Sequence, residues 1–548
     1  MHNFETDVLV IGGGGGGVMA AYEASKHGVS VTLAMKGRPQ RCGSTIMAPG
    51  AFAGVGDWHV PGDSRDVHFS DTIRGGAFMG EQRLVRIMVE ESPELIVEME
   101  RIGALWQREA DGRTYSLRID GGHSFHRCPF LEDRTGREML RTLFGTLCKR
   151  NVRILSDMMV LKLLKEKDQV CGAVALNTAT AETVLLRAKA VIIACGGGGN
   201  VYWNTDNPTG VTGDGYALAL EAGAALMDME FVQFYPLAYA GSGHASMILP
   251  PVFADLGRIV NSRGEDIKEK YALLEKPVAI VARDRFAQAL CREISSGNGI
   301  EGALLLDLRQ VDWTRSPYDD RTRELFEKKI SFDSQPVKIT VTAHHTMGGL
   351  QIDANAQTAL FGLFAAGEVT GGVHGANRMG GNALSEGVVF GGIAGSRAAA
   401  FTGKRQKASA FEAEIRARVK KRWELVGSGD GGSDLSAFMR EIKKLLWEKV
   451  GIIRDGTAIS EGLKEFDGLT AVLTKQRIET PRKLCAFMTC QNAALVSRAI
   501  ALSALTRTES RGAHYREDFP VEDKQWRKRI HVRLIDGKPE VSGILPVI

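Results

Sequence analysis

The sequence predicts an α/β fold organised around a Rossmann-like, nucleotide-binding domain. The first indication is a buried-strand pattern at Asp7–Ile11, which runs into the glycine-rich segment Gly12–Gly17 and then into the helical pattern Val18–Lys26. The second is that two further strand patterns, 190–195 and 362–366, also end in glycine. Three strand-to-glycine junctions that lie far apart in sequence can converge on one extended dinucleotide.

The first glycine segment has the spacing of a dinucleotide site. Gly12, Gly14 and Gly17 satisfy G-x-G-x-x-G, in which one glycine permits the tight turn, one lets the backbone approach a pyrophosphate, and one lets helix and strand touch. The helix that follows offers free N–H groups to phosphates. An acidic residue after the second strand, Val29–Leu33, would favour NAD, but Ala34–Lys36 stand there. The segment therefore predicts a dinucleotide site, and the missing acid disfavours NAD.

Length and composition exclude several classes of protein. A chain of 548 residues with 44% hydrophobic residues predicts two to four domains. The net charge of +4 arises without long charged blocks, which excludes a nucleic-acid-binding surface. The eight cysteines include no C-x-x-C pair, so we expect neither a metal site nor an iron–sulfur cluster in this chain.

The sequence shows no membrane or export signal. No apolar stretch reaches the roughly 18 to 20 residues that a spanning helix needs. The apolar run Val8–Ile11 is too short, and too close to acidic residues, for a signal peptide. We therefore expect a cytoplasmic chain that contacts a membrane only through partner subunits.

The segment His374–Leu384 places a permanent cation, Arg378, among small residues. Arginine can hold a carboxylate through two parallel hydrogen bonds, and glycine lacks the Cβ atom that would keep a flat ring at a distance. A solvated arginine in a tight glycine turn is the alternative interpretation of this segment taken alone.

At the level of motifs, the chain resembles the flavoprotein subunit of the succinate dehydrogenase and fumarate reductase family, which also includes L-aspartate oxidase. The matching stretches cover almost the whole length and are Gly12–Gly17, Arg41–Thr45, Asp71–Thr72, Asp133–Gly136, Arg283–Asp284, His344–Gly349, His374–Leu384 and Arg507–Arg516. The resemblance implies FAD as the cofactor and a small unsaturated carboxylate as the substrate.

The resemblance also implies an architecture. An FAD-binding domain at 1–230 and 339–402 would be interrupted by an α+β capping domain at 231–338. A helical domain with a C-terminal extension would follow at 403–548. The beginning of this domain is marked by Lys404–Lys407, and a flexible segment in its interior by Gly427–Ser433.

The resemblance assigns roles to single residues. Arg283 would pass a proton to or from the substrate carbon, although a helix-surface arginine beside Asp284 is the interpretation we would favour without the family. His344 and Arg378 would bind the substrate carboxylate, with Tyr235 near its other end. The implied FAD contacts are Gly12, Gly14, Gly17, Lys36, Ser44, Thr45, Gly50, Ala194, Gly196, Asp214, Glu368, Asn382, Ala383 and Leu384.

Three positions depart from the family pattern. Tyr235 stands where a histidine is usual, and Leu249–Pro251 replaces a Thr-Glu pair, so one end of the carboxylate site is altered. Arg41–Thr45 contains no histidine that could link the flavin, so we expect noncovalent FAD. In the family, a noncovalent flavin favours reduction of an activated alkene over oxidation of succinate.

Three functions follow from the sequence. The first is reduction of a fumarate-like enoate with electrons exchanged with an iron–sulfur partner protein. The second is an L-aspartate-oxidase-like enzyme reoxidised by oxygen or fumarate, which Met347 mildly disfavours. The third is a non-catalytic flavin electron carrier, which the joint presence of Arg283, His344 and Arg378 disfavours because a carrier has no use for a substrate clamp.

Overall fold

The computed structural model describes residues 2–241, 247–313, 327, 330–332, 334–403, 434–478 and 480–547. The segments Lys404–Lys407 and Gly427–Ser433, which mark the predicted helical domain, lie outside the described residues. The predicted limits of the three domains stay a prediction.

Strands and helices alternate through the first part of the chain, and a helical region with a final hairpin follows. The described strands are β1 (His2–Ile11), β2 (Val31–Ala34), β3 (Leu117–Arg118), β4 (Cys128–Pro129), β5 (Val152–Leu155), β6 (Met158–Glu166), β7 (Gln169–Asn177), β8 (Thr183–Ile193), β9 (Leu226–Met227), β10 (Val232–Tyr239), β11 (Met247–Ile248), β12 (Arg258–Val260), β13 (Leu304–Asp307), β14 (Val337–Thr346), β15 (Gly349–Leu350), β16 (Leu363–Ala365), β17 (Ile453–Arg454), β18 (Tyr515–Arg516), β19 (Lys528–Ile535) and β20 (Lys538–Pro546). The described α-helices are α1 (Gly15–Ser25), α2 (Ser44–Met47), α3 (Arg65–Gly75), α4 (Gln82–Arg101), α5 (Thr135–Leu147), α6 (Asp214–Ala222), α7 (Phe253–Leu256), α8 (Ile267–Lys270), α9 (Val278–Val281), α10 (Arg283–Ser295), α11 (Asn382–Thr402), α12 (Leu435–Val450), α13 (Gly456–Leu473) and α14 (Pro481–Thr506).

The first sheet is the Rossmann-like layer that the sequence predicts. Its strand order is β5-β2-β1-β8-β7-β6, and β16 also pairs with β8. β1, β2, β5, β8 and β16 run parallel, with Ile11 opposite Ile193 and Ile193 opposite Ala365. Because these strands end at the same level, the three strand-to-glycine junctions meet at the carboxyl edge of the sheet, which is where ligands bind in such folds.

The helices α1 and α11 pack against each other with their backbones in contact. A Cβ atom built on Gly391 would lie 2.5 Å from the carbonyl oxygen of Gly16, and one on Gly395 would lie 2.2 Å from that of Ala20. Such distances leave no room for a side chain. The glycines of α11 thus bring its N-terminus close to the glycine turn at the start of α1.

The second sheet is antiparallel, and the helix that begins at Arg283 packs against it. Its strand order is β11-β10-β14-β13-β12, and α10, which begins at Arg283, packs on β10 and β14. β14 spans Val337–Thr346, so this strand crosses the predicted limit between residues 338 and 339 and delivers His344 at its end.

The C-terminal region returns to the body of the molecule. The hairpin β19–β20 extends a sheet of order β15-β9-β19-β20, with His531 opposite Met227. Buried ion pairs reinforce this junction: Arg507 Nε lies 2.6 Å from Glu230 Oε1, and Arg529 Nη1 lies 3.0 Å from Asp228 Oδ2.

Among the described residues, one helix is long and apolar enough to cross a membrane. This is the 26-residue α14, with a mean hydropathy of 1.2 over 18 residues, which sequence analysis did not single out. Of that window, 67% is buried against the rest of the chain. A buried apolar helix of this kind is typical of a protein core.

The contact between α1 and α11 predicts a difference between two glycines that lie three residues apart. Gly395→Ala should lower the midpoint of thermal unfolding, because the new methyl group must displace backbone at a cost of about 1 to 3 kcal/mol. Gly392→Ala is the matched control, since its Cβ would meet only side-chain atoms of Glu23 and Met19, at 3.5 and 3.6 Å. Equal unfolding midpoints for the two variants would contradict the close packing.

Candidate active site

The glycine turn after β1 has the geometry of a dinucleotide cradle. Gly12 has a φ of +116°, and a Cβ there would lie 2.1 Å from the carbonyl oxygen of Ala194, which follows β8. A Cβ on Gly17 would lie 1.9 Å from the carbonyl oxygen of Gly12, so α1 touches the strand as predicted. Gly14 is the residue before the first turn of α1, and the free N–H groups of such a first turn can bind a phosphate. These glycines fit the pyrophosphate of FAD.

The predicted contacts on α2 lie against this turn. Thr45 Oγ1 accepts a hydrogen bond of 3.1 Å from the backbone N–H of Gly15. Ser44 Oγ donates to Asn207 Oδ1 at 3.2 Å. Gly50 follows, and a Cβ on it would lie 3.7 Å from Asp120 Oδ2. The segment that would carry a flavin-linking histidine in the family thus lies beside the cradle.

The predicted residues Lys36 and Asp214 pair with each other. Lys36 Nζ lies 2.9 Å from Asp214 Oδ2, and Asn492 Nδ2 donates to Asp214 Oδ1 at 2.9 Å. Asp214 is the first residue of α6, so its charge also suits the helix N-terminus. The pair joins the loop after β2 to α6 and to α14.

Glu368 lies near the second glycine junction, which contains Gly196. Its Oε1 accepts a hydrogen bond of 3.0 Å from the backbone N–H of Thr346, and a Cβ on Gly197 would strike the same atom at 2.3 Å. Burial raises the pKa of Glu368 to about 7, while that hydrogen bond opposes the rise. The carboxyl group has a second backbone partner in Gly197, and a carboxylate has about four acceptor sites, so it can still accept hydrogen bonds from a polyol.

The start of α11 contributes less through its side chains than sequence analysis suggests. The side chain of Asn382 is fully buried: it accepts from His68 Nε2–H at 2.9 Å and donates to Thr72 Oγ1 at 3.1 Å. Ala383 and Leu384 are half-buried. Any FAD contact of Asn382 must therefore use its backbone N–H group at the helix N-terminus.

Two buried guanidinium groups lie close together in the interior. The pKa of Arg378 is lowered to about 10, first by burial and then by the charge of Arg283, while the acids Asp120, Glu368 and Asp206 oppose the fall. Both arginines stay protonated at neutral pH. Arg283 Nη2 donates to the carbonyl oxygen of Arg378 at 2.9 Å, which joins the two residues directly.

The hydrogen bonding of these two arginines is incomplete. Among the described residues, the Nε atoms of Arg283 and Arg378 are buried without a hydrogen-bond partner. The carboxylate of Asp284 lies 3.9 Å from Arg283 Nε, which is long for a direct ion pair with a hydrogen bond. Two cations that are buried side by side with incomplete pairing favour a bound anion.

His344 and Tyr235 line the same region, with their ring centroids 5.7 Å apart. His344 Nδ1 lies 2.6 Å from Asp206 Oδ2. The hydroxyl of Tyr235 donates to the carbonyl oxygen of Leu249 at 2.8 Å. Its proton is therefore engaged by the Leu249–Pro251 stretch, which departs from the family pattern.

Several polar groups at this site were not found by sequence analysis. Asn377 Oδ1 accepts from Arg283 Nη2 at 2.8 Å and from Gln233 Nε2 at 2.7 Å, while Asn377 Nδ2 donates to Asp284 at 2.6 Å. Burial raises the pKa of Asp120, and the charges of Arg118 and Arg378 oppose that rise. Asn377 could have been found as the neighbour of Arg378, whereas no sequence signal marks Asp120.

A cavity of about 330 Å³ lies away from these residues. It separates α10 from α12 and is lined by Trp203, Cys291 and Trp447. None of the arginines, histidines or glycines described above lines it, so it is distinct from the candidate active site.

The comparisons with known proteins agree with this geometry. Residues 7–384 match the family model described as FAD binding domain, and residues 439–542 match the one described as fumarate reductase flavoprotein C-term. FAD is therefore the cofactor, as predicted.

Relatives of similar length extend the match over the whole chain. The chain is 36% identical to an FAD-dependent oxidoreductase of Methanocaldococcus jannaschii, over 97% of each chain. It is 35% identical to one of the subunits of the CoM/CoB fumarate reductase of Methanothermobacter marburgensis, over 99% of each chain.

Solved structures confirm the predicted fold class. The chain superposes on a mutant of the Escherichia coli quinol fumarate reductase with a TM-score of 0.91 and 31% identity, covering 100% of this chain and 98% of that one. The chain belongs to the family of flavoprotein subunits of succinate dehydrogenases and fumarate reductases, and it is an FAD-dependent oxidoreductase that acts on CH–CH groups.

Proposed function

We propose that this flavoprotein reduces the C=C bond of a fumarate-like enoate, an unsaturated acid whose carboxylate is held by Arg378 and His344. The observation that carries the proposal is the incomplete pairing of the two buried guanidinium groups, Arg283 and Arg378. A substrate carboxylate supplies the negative charge and the hydrogen-bond acceptors that this pair lacks.

Each side chain then has a chemical task. FAD, when bound, supplies the hydride. Arg378 and His344 hold the carboxylate and withdraw electron density from the adjoining double bond. One carbon of that bond accepts the hydride, and Arg283 gives a proton to the other carbon. Burial favours this transfer because it lowers the pKa of the Arg283 guanidinium.

A proton donor must also be reloaded. Asp284 is placed for this task, since its Oδ1 lies 3.9 Å from Arg283 Nε. Asn377 bonds to both Arg283 and Asp284 and so positions the two side chains. Burial raises the pKa of Asp284, and the charge of Arg283 opposes that rise. A carboxyl group with a raised pKa can hold a proton and pass it on, so this acid suits the relay that an arginine needs.

The far end of the substrate differs from a free carboxylate in this proposal. Tyr235 carries no positive charge at neutral pH, and its hydroxyl proton is engaged with Leu249. Pro250 and Pro251 offer no backbone N–H group. A carboxylate placed there without partners would weaken binding by several kcal/mol. The preferred substrate is an unsaturated monoacid, or a diacid modified at one end.

The electron partner follows from the family. The relatives named above include one subunit of a fumarate reductase. We propose that this chain exchanges electrons with an iron–sulfur subunit, because its eight cysteines include no C-x-x-C pair that would indicate a cluster of its own. A cytoplasmic location, with peripheral attachment at the inner face of the membrane through such partners, follows from the same proposal.

The state of the flavin can be tested directly. Ser44 and its neighbours offer no histidine, so acid precipitation of the purified protein should release the yellow flavin into the supernatant. Absorbance and fluorescence of the two fractions measure this. Flavin fluorescence that stays with the precipitated chain after denaturing electrophoresis would contradict noncovalent binding.

The altered pocket predicts a substrate preference. Dithionite-reduced flavin should be reoxidised by crotonate or monomethyl fumarate with a kcat/KM about tenfold or more above that for fumarate, the factor that 1.4 kcal/mol of lost stabilisation produces.

The variant Tyr235→His supplies the matched comparison for this preference. It restores a side chain that can carry positive charge, and it should shift the preference toward fumarate. Two results together would contradict the altered-pocket proposal. The first is saturable reoxidation of the wild-type protein by fumarate at micromolar concentrations, and the second is an unchanged substrate preference in the variant.

A further inference from the structure

We infer that Asp206 is a positioning residue for substrate binding, because its carboxylate fixes His344 so that Nε2 contacts the substrate carboxylate. This inference rests on the proposed function. No motif marks Asp206 in the sequence, and the assignment comes from the contacts that the fold creates between two segments 138 residues apart.

The contact between the two side chains is short and sheltered. Asp206 Oδ2 lies 2.6 Å from His344 Nδ1, a distance typical of a charge-assisted hydrogen bond. The side chains are 13% and 25% exposed, respectively. The pair therefore lies at the edge of the site rather than in bulk water, where such a contact would contribute little.

The backbone around Asp206 has anchors besides the carboxylate of this residue. The N–H of Ala343 donates to the carbonyl oxygen of Asn204 at 2.9 Å, which fastens the loop to β14. Asn207 Nδ2 donates to the carbonyl oxygen of His344 at 2.9 Å, from the residue next to Asp206. Asn207 Nδ2 also donates to Asp206 Oδ1 at 3.1 Å, and an amide at position 206 keeps an oxygen that can accept this hydrogen bond. An exchange of the Asp206 carboxylate for an amide should therefore leave the loop in position and remove the negative charge.

The chemistry of imidazole explains why a carboxylate is needed. When only Nδ1 carries a proton, Nε2 presents a lone pair and repels a substrate carboxylate. A neutral ring with its proton on Nε2 could donate there, but its Nδ1 lone pair would then face the carboxylate of Asp206 at 2.6 Å. A ring protonated on both nitrogens donates at Nε2 and adds a positive charge, and a negative partner at Nδ1 stabilises it. Asp206 is that partner in hydrogen-bond contact with His344, whereas the cations Arg283 and Arg378 on the facing segments oppose a further positive charge.

The same carboxylate acts on the second substrate-binding group. Burial and then the charge of Arg283 lower the pKa of Arg378, and the charge of Asp206 opposes that fall. One acid thus contacts His344 and supports the charge of Arg378, the two groups proposed to hold the substrate. Tyr235, whose ring centroid lies 5.7 Å from that of His344, and the buried His345 are also titratable, and neither supplies a negative charge at neutral pH.

The variant Asp206→Asn tests the inference with monomethyl fumarate as the probe and a reduced viologen dye as electron donor. The KM and the dissociation constant from flavin difference spectra should rise by about tenfold or more, while kcat stays within about threefold and the FAD content is unchanged. Asp206→Glu should recover part of the loss, because it restores the negative charge. Asp168→Asn, an exposed acid in the turn between β6 and β7, is the control for loss of one charge and should behave as wild type.

Each other outcome is decisive. A wild-type KM in Asp206→Asn overturns the inference. A parallel loss of FAD and of kcat, with no recovery in Asp206→Glu, also overturns it, because it shows a purely structural role. If the wild-type protein binds monomethyl fumarate without reducing it, the proposed function fails, while the ratio of dissociation constants still decides the role of Asp206. Absence of binding to the wild-type protein overturns both.

Discussion

The burial of two positive charges, Arg283 and Arg378, is the constraint on which the rest of the site depends. Transfer of a guanidinium group from water into a protein interior is costly unless each N–H group finds an acceptor and each charge a counter-charge. Here the neighbouring acids meet that demand only in part, and both Nε atoms stay without a hydrogen-bond partner within the described chain. In the proposed function an anionic substrate completes the set, and the arrangement that favours its binding is present in the folded protein before the substrate arrives.

The two arginines come from different layers of the fold, and the polar groups between them hold the layers in register. Arg378 belongs to the segment that leads into α11, whose glycines pack on α1 and so fix its distance from the nucleotide cradle. Arg283 begins α10, which packs on the antiparallel sheet. Gln233 and Asn377 join them through short hydrogen bonds. The proposed proton donor and the proposed carboxylate binder are therefore aligned by the same contacts that join the two sheets.

Local signals explain which features the sequence predicted. Glycine spacing and strand pattern are properties of neighbouring residues, so Gly12 and Gly17 could be assigned to a tight turn and a close helix contact, and both have that role. Contacts between distant segments produce no comparable pattern in the local sequence. The bond between Asp206 and His344, the bond between Tyr235 and Leu249, and the pairing of the C-terminal hairpin with β9 depend on the closed fold. For the same reason the burial of Asn382 against His68 was not foreseen.

The rate at which an enoate reoxidises the reduced flavin in the variant Arg283→Lys tests the central claim most directly. Lysine keeps the positive charge but lacks the planar group that reaches Asn377 and the carbonyl oxygen of Arg378. We expect FAD to stay bound and the single-turnover rate to fall by about 100-fold or more, the usual scale for loss of a general acid. Reoxidation at a near wild-type rate would contradict the account, because another group would then deliver the proton.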